Sequence, residues 1–261
     1  MNKVFLAICS LFLTSCSLLN ISPKTNSNGL LSIKLVNDKV QLLLSDKQSF
    51  DNPTKALNIK ETYVFEEFTY SALPSSDILD NEETPFDYGL YKRGNDESVM
   101  RYFKYTFYFK STCEYNMDYI VDISLEESKK SANDSDRTIA DTLRVMVFEN
   151  KVDDNNHNKE IYAKESTETN YDKQGNRTNR EFVSVHPNNN QEDEEHPLAK
   201  SFINDTTIAK YHGMGFSKDE IMRFTIVVWL EGEDPQSTAL AAAPTGSSVQ
   251  LSISLDAYTN D

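Results

Sequence analysis

Two carboxylates in a short turn are the residues best suited to binding a metal ion. Glu231 and Asp234 stand in the stretch EGEDP (231–235), which follows an apolar strand pattern. Gly232 allows the chain to turn without a Cβ clash, and Pro235 lacks the N–H needed to continue a β ladder. The two carboxylates would either accept backbone N–H bonds in this turn or share a Ca²⁺ ion, which prefers oxygen ligands. They form the candidate metal site, and calcium is the one cofactor that the sequence suggests.

Residue types for catalysis are present, but their spacing does not match a known catalytic arrangement. A zincin-type site needs two histidines at i and i+4 with a glutamate between them, and His157, His186, His196 and His212 include no such pair. All four fall in loop-like contexts. Ser217 does not lie between two glycines after a strand, as a nucleophile elbow requires. The sequence therefore predicts a protein that is not an enzyme.

Cys16 has the most clearly defined chemistry in the chain. It ends a leader in which Lys3 precedes an apolar run of about ten residues, whereas a membrane-spanning helix needs roughly 20. Residues 13–16 (LTSC) resemble the bacterial lipobox, in which the cysteine becomes the diacylated first residue of the mature protein. This resemblance implies that residues 1–15 are a signal peptide and that Cys16 carries the lipid. We expect the protein at the cell membrane, lipid-anchored on its extracytoplasmic face.

The charge of the mature chain limits its partners. Removing residues 1–15 takes away Lys3, so the formal balance changes from −15 to 25 − 41 = −16. With no basic stripe to neutralise phosphates, nucleic acid is excluded as a partner. The acidic domain also repels anionic lipid, so the diacylglyceryl group is the expected membrane contact. Cys113 has no cysteine partner in the mature chain and is expected to be a small core residue.

Hydrophobic alternation predicts an all-β protein, an antiparallel β-sandwich of jelly-roll type with long polar loops. In 101–110 the side chains of Phe103, Tyr105, Phe107 and Phe109 share one face, which is the expected inner face. Further strands are predicted at 61–70, 119–125, 142–148, 223–230 and 248–258. The run 30–45 is interpreted as a hairpin and as a candidate edge strand.

The rest of the chain divides around these strands. Residues 16–29 are polar and are expected to form a flexible tether, followed by one sandwich domain at 30–261. Polar inserts at 74–98, 128–138 and 150–200 would carry any recognition loops. Trp229 lies in an apolar strand and is expected to anchor the core. Ser217 and Glu220 stand at capping-box spacing and predict one capped turn.

Three segments resemble a known group of exported proteins. They are YFKYTFYFKSTCEYNMDY (102–119), DTLRVMVFEN (141–150) and FTIVVWLEGEDP (224–235). Together they are similar, in order and spacing, to the camelysin/TasA-like β-sandwich surface proteins of Gram-positive bacteria and mollicutes. This resemblance implies a jelly-roll-like sandwich, display outside the cell and, in some members, assembly into biofilm fibres.

The sequence thus predicts a lipid-anchored surface protein with a structural, adhesive or matrix-assembly role. Its expected partners are the membrane, through Cys16, and itself or other surface proteins by edge-strand pairing. One alternative is a ligand-binding lipoprotein that serves an envelope or transport system, although such proteins alternate strands with helices and few helical signals occur here. A metal-dependent surface hydrolase is a further alternative, and its ligands would have to come from separate loops.

Overall fold

The chain folds almost entirely as β-strands. A computed structural model describes residues 31–36, 41–59, 86–93, 97–128, 139–154, 158–164, 170–171, 177–178, 182–183, 198–230 and 249–259. The leader, the tether and the strand predicted at 61–70 lie outside these residues.

Fifteen strands and one 3-10 turn (Ile139–Thr142) make up the described secondary structure. The strands are β1 (Leu31–Leu35), β2 (Leu42–Ser45), β3 (Ala56–Ile59), β4 (Phe86–Arg93), β5 (Glu97–Ser111), β6 (Met117–Ser128), β7 (Leu143–Lys151), β8 (Asn158–Ala163), β9 (Asn170–Tyr171), β10 (Arg177–Thr178), β11 (Phe182–Val183), β12 (Leu198–Ser201), β13 (Thr207–Phe216), β14 (Ile221–Leu230) and β15 (Val249–Tyr258).

Two large sheets pack face to face. Sheet A has the order β13-β6-β15-β1-β3, and sheet B has the order β11-β12-β8-β7-β14-β5-β2, with β4 also paired to β5. A separate pair is formed by β9 and β10. The predicted all-β sandwich is confirmed. The prediction that the sheets are antiparallel is wrong in part, since both sheets are mixed: β1 runs parallel to β15, and β12 runs parallel to β8.

The hairpin predicted at 30–45 is wrong. β1 belongs to sheet A, where it lies between β15 and β3, whereas β2 belongs to sheet B and pairs with β5. For the same reason β1 is not an edge strand, whereas β2 stands at one end of the strand order of sheet B, so the predicted edge strand holds only for the second half of the run. Each run presents an apolar face to the one core that the sheets share. Alternation fixes which face of a strand is buried but does not identify its partner, so two such runs look like a hairpin even when they cross between layers.

The polar inserts also contain more structure than the sequence indicated. Within 150–200, β8 and β12 join sheet B through a parallel pair, and β7 pairs with β8. Within 74–98, β4 pairs with β5. These strands are short or carry many polar residues, so their composition resembles that of loops. They form because an adjacent strand offers backbone groups with which they can pair.

The core lies between the sheets, and the predicted alternation is confirmed. Phe103, Tyr105, Phe107 and Phe109 of β5 all face it, together with alternate residues of the neighbouring strands. Cys113 is half-buried and packs against its margin.

The opposite face of sheet B is buried as well. Trp229 is 0% exposed and belongs to a second apolar cluster with Val227 and Phe148, which confirms its assignment as a core anchor. The hydroxyls of Thr106 and Thr225 lie 2.9 Å apart on this face. Central strands of sheet B are therefore buried on both faces, which explains the near-continuous apolar run in β14.

Candidate functional site

Most residues with predicted chemistry lie outside the described part of the chain. These residues are Cys16, Glu231, Asp234 and three of the four histidines, His157, His186 and His196. His212 is described, and it lies on the exposed face of β13 rather than in a loop, so its predicted loop context is wrong. Within the described residues, no three His, Cys, Asp or Glu side chains converge as a metal site would require.

Buried tyrosines and half-buried carboxylates meet between the sheets near one margin of the sandwich. We call this the tyrosine–carboxylate cluster, and it consists of Tyr119, Glu149, Glu160, Tyr162 and Tyr211. Sheet A contributes Tyr119 from β6 and Tyr211 from β13, and sheet B contributes the other three from β7 and β8. Each tyrosine is at most 7% exposed.

Backbone register explains why these side chains share the interior. Glu149 and Asn158 are direct partners in the antiparallel β7–β8 pair, and Tyr162 is the partner of Val145. Directly opposed residues point to the same face of a sheet, and Val145 faces the core. The inner face of sheet B therefore includes Glu149, Glu160 and Tyr162, which form its polar margin.

Hydrogen bonds in the cluster join one sheet to the other. The hydroxyl of Tyr119 donates to Oε1 of Glu149 at 3.0 Å. The hydroxyls of Tyr162 and Tyr211 lie 3.0 Å apart, and Oε2 of Glu160 accepts a short hydrogen bond from Tyr162. Since each phenol has one proton, Tyr162 donates to the carboxylate and Tyr211 donates to Tyr162. Outside the cluster, the Lys200 ammonium pairs with Oε1 of Glu160.

Aromatic contacts hold the rings in place. The Tyr119 ring meets Phe109 edge-to-face with centroids 5.0 Å apart, and it meets Phe216 in the same manner at 5.4 Å. Tyr211 packs edge-to-face on Phe224 at 5.5 Å. Such pairs favour defined ring orientations, so the hydroxyls are fixed for hydrogen bonding.

The two carboxyl groups have opposite electrostatic environments. Burial raises the pKa of Glu149, and the hydrogen bonds from Tyr119 and Asn158 offset this only in part. Burial also acts to raise the pKa of Glu160, but the hydrogen bonds from Lys200 and Tyr162 outweigh it and the pKa is lowered. Burial is likewise the main reason why the pKa of each cluster tyrosine is raised.

This chemistry suits a structural role. All three tyrosines stay protonated and are used as donors, and both carboxylates accept hydrogen bonds from them. The three tyrosine side chains are packed into the core and are inaccessible to a large ligand. The cluster therefore fastens the margin of sheet A to sheet B.

A glycine allows the closest of these contacts. Gly213 is the direct partner of Tyr119 in the β13–β6 pair, and a Cβ built on it would lie 2.0 Å from carbon atoms of the Tyr119 ring. The ring thus lies directly over the glycine backbone, a position that no residue with a Cβ permits.

The sequence did not reveal the cluster as a unit. Alternation in 119–125 places Tyr119 on an inner face, which is the one available signal. Its partner Glu149 is 30 residues away, and Tyr162 and Tyr211 are 49 residues apart. No short-range pattern in the sequence indicates that residues so far apart along the chain will meet.

A second region of interest is the end of the sandwich formed by the β5–β6 turn (112–116) and the β13–β14 turn (217–220), which we call the turn end. The Lys218 ammonium pairs with Glu114 across the two turns, and this contact raises the pKa of the lysine. The predicted capped turn is confirmed, since the Ser217 N–H donates to Oε2 of Glu220 at 2.9 Å.

Comparison of the chain with protein-family models, curated proteins and solved structures yields no significant match. The described residues contain no helix long and apolar enough to cross a membrane.

Proposed function

We propose that the protein is a lipid-anchored, extracytoplasmic surface protein with a structural or adhesive role and no catalytic activity. The observation that carries the proposal is the leader with Cys16 at the end of LTSC. Acylation at this residue would tether the domain to the outer leaflet, while its net negative charge keeps the domain itself off anionic lipid.

The position of β1 supports an anchored, force-bearing role. β1 is the first described strand, and its residues Leu31, Ile33 and Leu35 are buried in the core. It is hydrogen-bonded to β15 on one side and to β3 on the other. A pull from the N-terminal side acts along this strand, so its lateral hydrogen bonds are loaded together rather than one after another. A tethered domain would resist unfolding best with this geometry.

The similarity to camelysin/TasA-like proteins supports extracellular display, and we propose that relationship on the three segments named above. One difference concerns assembly. Fibre-forming members of that group are usually released from a different signal peptide, whereas Cys16 would hold this chain at the membrane. An anchored adhesive or matrix-initiating role therefore suits this chain better than release into a fibre.

At strand β13, edge-strand pairing with another chain receives little support. β13 has one partner strand among the described residues and is an edge of sheet A, but register shifts interrupt its pairing between Thr207 and Ala209 and between Gly213 and Phe216. Such bulges protect an edge from pairing with another chain. Pairing with another chain would therefore involve one of the other terminal strands, such as β3 of sheet A or β2 of sheet B.

Replacement of Cys16 by alanine tests the anchor. We expect Cys16→Ala to lose incorporation of labelled palmitate and to leave the membrane fraction, because the acceptor thiol is gone. Cys9→Ala is the matched control, since it also removes a leader thiol, and it should be labelled and retained as the wild type is. Unchanged labelling of Cys16→Ala would refute the proposed anchor.

A further inference from the structure

The outer face of sheet B, which points away from sheet A, contains buried cations. Lys104 of β5 and Arg144 of β7 are each 1% exposed, and Arg223 of β14 is 8% exposed. Lys104 is the register partner of Val227, and Arg144 is the register partner of Trp229, both of the second apolar cluster. Arg223 shares their face by alternation along β14. Three adjacent strands therefore each bury one positive charge on this face.

These cations need negative charge from the layer that covers them. The Arg223 Nε–H donates to Oδ1 of Asn150 at 3.1 Å, and Nη1 of Arg144 donates to the Leu143 carbonyl at 3.1 Å. Each contact uses one of the five N–H groups of a guanidinium, and both acceptors are neutral. A buried cation is costly unless an anion accompanies it. The other residues that share this face in β5, β7 and β14 are not acidic: Tyr102, Thr106, Tyr108, Met146, Phe148, Asn150, Thr225, Val227 and Trp229.

The covering layer comes from segments that connect the strands. Sheet A cannot supply it, because sheet A packs against the opposite face of sheet B. A covering segment must bring acidic side chains to the three cations and large apolar side chains to the cluster around Trp229. These two requirements select among the segments that lie outside the described residues.

Residues 61–85 meet both requirements. They include seven acidic residues and no lysine or arginine, and they carry eight large apolar side chains: Tyr63, Val64, Phe65, Phe68, Tyr70, Leu73, Ile78 and Leu79. The segment leads directly into β4, where Asp87 is the register partner of Lys104. Its end therefore lies beside the first of the cations. Arg144 is two strands further on, about 10 Å at roughly 4.8 Å per strand, which is a short distance for a segment of 25 residues.

The other connecting segments fit this face less well. Residues 231–248 follow β14 directly but have three acidic residues and one large apolar side chain, Leu240. Residues 184–197 have four acidic residues and one large apolar side chain, Val185. Residues 129–138 have three basic residues and two acidic ones. None of these three combines an acidic surplus with a large apolar surface.

We propose that the segment 61–85 docks on the outer face of sheet B, where its carboxylates neutralise Lys104, Arg144 and Arg223 and its apolar side chains cover Trp229. Because the acidic residues of the segment outnumber the three cations, its solvent-facing side stays negative. The docked segment thus converts a cationic sheet face into part of the acidic surface of the domain.

A double-mutant cycle tests the docking. One variant neutralises the segment by replacing its five glutamates with glutamine and its two aspartates with asparagine. The other removes the cations by Lys104→Met/Arg144→Met/Arg223→Met. We expect each variant to lower the melting temperature, measured by circular dichroism at neutral pH, because each removes one side of the buried charge pairs. The combined variant should recover most of the loss, and simply additive losses would overturn the proposal.

Two further segments supply the control and the competitor. Neutralising the four acidic residues of 192–195 is the matched control, and its effect should be the same with and without the cations. Neutralising Glu231, Glu233 and Asp234 tests the competing segment, and coupling of the cations to these residues in place of 61–85 would refute the docking. Should a multiple variant fail to fold, the cycle uses Lys104→Met alone and the four acidic residues of 77–83, which precede β4.

Quenching of Trp229 fluorescence gives an independent readout. Trp229 is the single tryptophan of the chain and is 0% exposed, so acrylamide should quench the wild-type protein weakly. The variant with a neutral 61–85 segment should show a severalfold larger quenching constant while circular dichroism still reports folded β-structure. The 192–195 control should match the wild type. Unchanged quenching in the folded neutral-segment variant would contradict the docking.

Discussion

The contact between Tyr119 and Gly213 shows how much one residue pair decides in this fold. The ring needs the space over the Gly213 backbone in order to reach Glu149, so a glycine in β13 determines whether β6 and β7 are joined. The Tyr119 ring must approach the backbone of the neighbouring strand closely. Gly213 permits this approach because it has no side chain.

Replacement of Gly213 by alanine is expected to destabilise the fold. The new Cβ would overlap the Tyr119 ring, which must shift and lengthen its hydrogen bond, and overpacking of this kind typically costs about 1–3 kcal/mol. Urea denaturation followed by circular dichroism measures the free energy of unfolding. The cost of Gly213→Ala should shrink in a Tyr119→Leu background, where the clashing ring is absent. Equal costs in the two backgrounds would contradict this account.

Trp229 is the other position where one side chain carries much of the stability. It is fully buried between its neighbours on the outer face of sheet B, so Trp229→Ala should lower the free energy of unfolding by about 3–5 kcal/mol. Because it is the single tryptophan of the chain, unfolding must be followed by circular dichroism rather than by fluorescence. Ile203→Ala is the control, since an exposed apolar side chain should cost within about 0.5 kcal/mol. A melting temperature near that of the wild type would reject the assignment of Trp229 to the core.

At the scale of elements, strand β7 has two different faces, and both are buried along most of its length. Val145 and Val147 face the core between the sheets, whereas Met146 and Phe148 belong to the second cluster. Towards its end the inner face becomes polar with Glu149, where β8 and the margin of sheet A approach. Strand pairing alone would leave that margin open, and the tyrosine–carboxylate cluster closes it.

The two carboxyl groups of the cluster should affect stability in opposite ways as the pH changes. The raised pKa of Glu149 means that the folded state prefers its protonated form. Its contribution is fully present below the unfolded-state pKa of about 4.3 and is lost as the pH rises through the folded value. The lowered pKa of Glu160 gives a contribution that is present above about 4.3 and is lost as the pH falls through its folded value.

Glutamine variants separate these effects. Glu149→Gln keeps an acceptor for Tyr119 and removes a half-buried charge. The melting temperature at neutral pH should therefore be unchanged or higher, and the difference should vanish in acid. Glu160→Gln should lower the melting temperature at neutral pH, because the Lys200 ammonium loses its partner, and this loss should also vanish in acid. Thermal unfolding over the acid-to-neutral range measures both variants. Parallel pH profiles for the two would contradict the opposite directions of the pKa shifts.

At the scale of the whole molecule, strand direction places the start of the domain and the turn end at opposite ends of sheet A. β1 runs from its start at Leu31 towards the turn end, and β15 runs the same way beside it. The exposed apolar residues at the turn end and the start of the domain therefore lie at opposite ends of sheet A. If Cys16 carries the proposed anchor, the turn end is the end of sheet A that lies away from it.

The sequence by itself determined the class of fold and the buried face of each strong strand. The alternation in 101–110 correctly assigned Phe103, Phe107 and Phe109 to the core, because side chains of a strand alternate strictly between its two faces. The local capping signal at Ser217 was also sufficient, since it involves residues within one turn. The lipobox, the candidate Ca²⁺ ligands Glu231 and Asp234, and the relationship to camelysin/TasA-like proteins stay predictions.

Only the tertiary structure decided which strands pair and which polar residues meet. The apolar runs at 31–35 and 42–45 each indicate a strand, but nothing in either run shows that they belong to opposite sheets. Tyr119 and Glu149 come together because β6 and β7 face each other across the core. Their separation in the sequence does not predict that contact. Burial of a face is a local property of the chain, whereas the identity of a partner depends on how the whole chain packs.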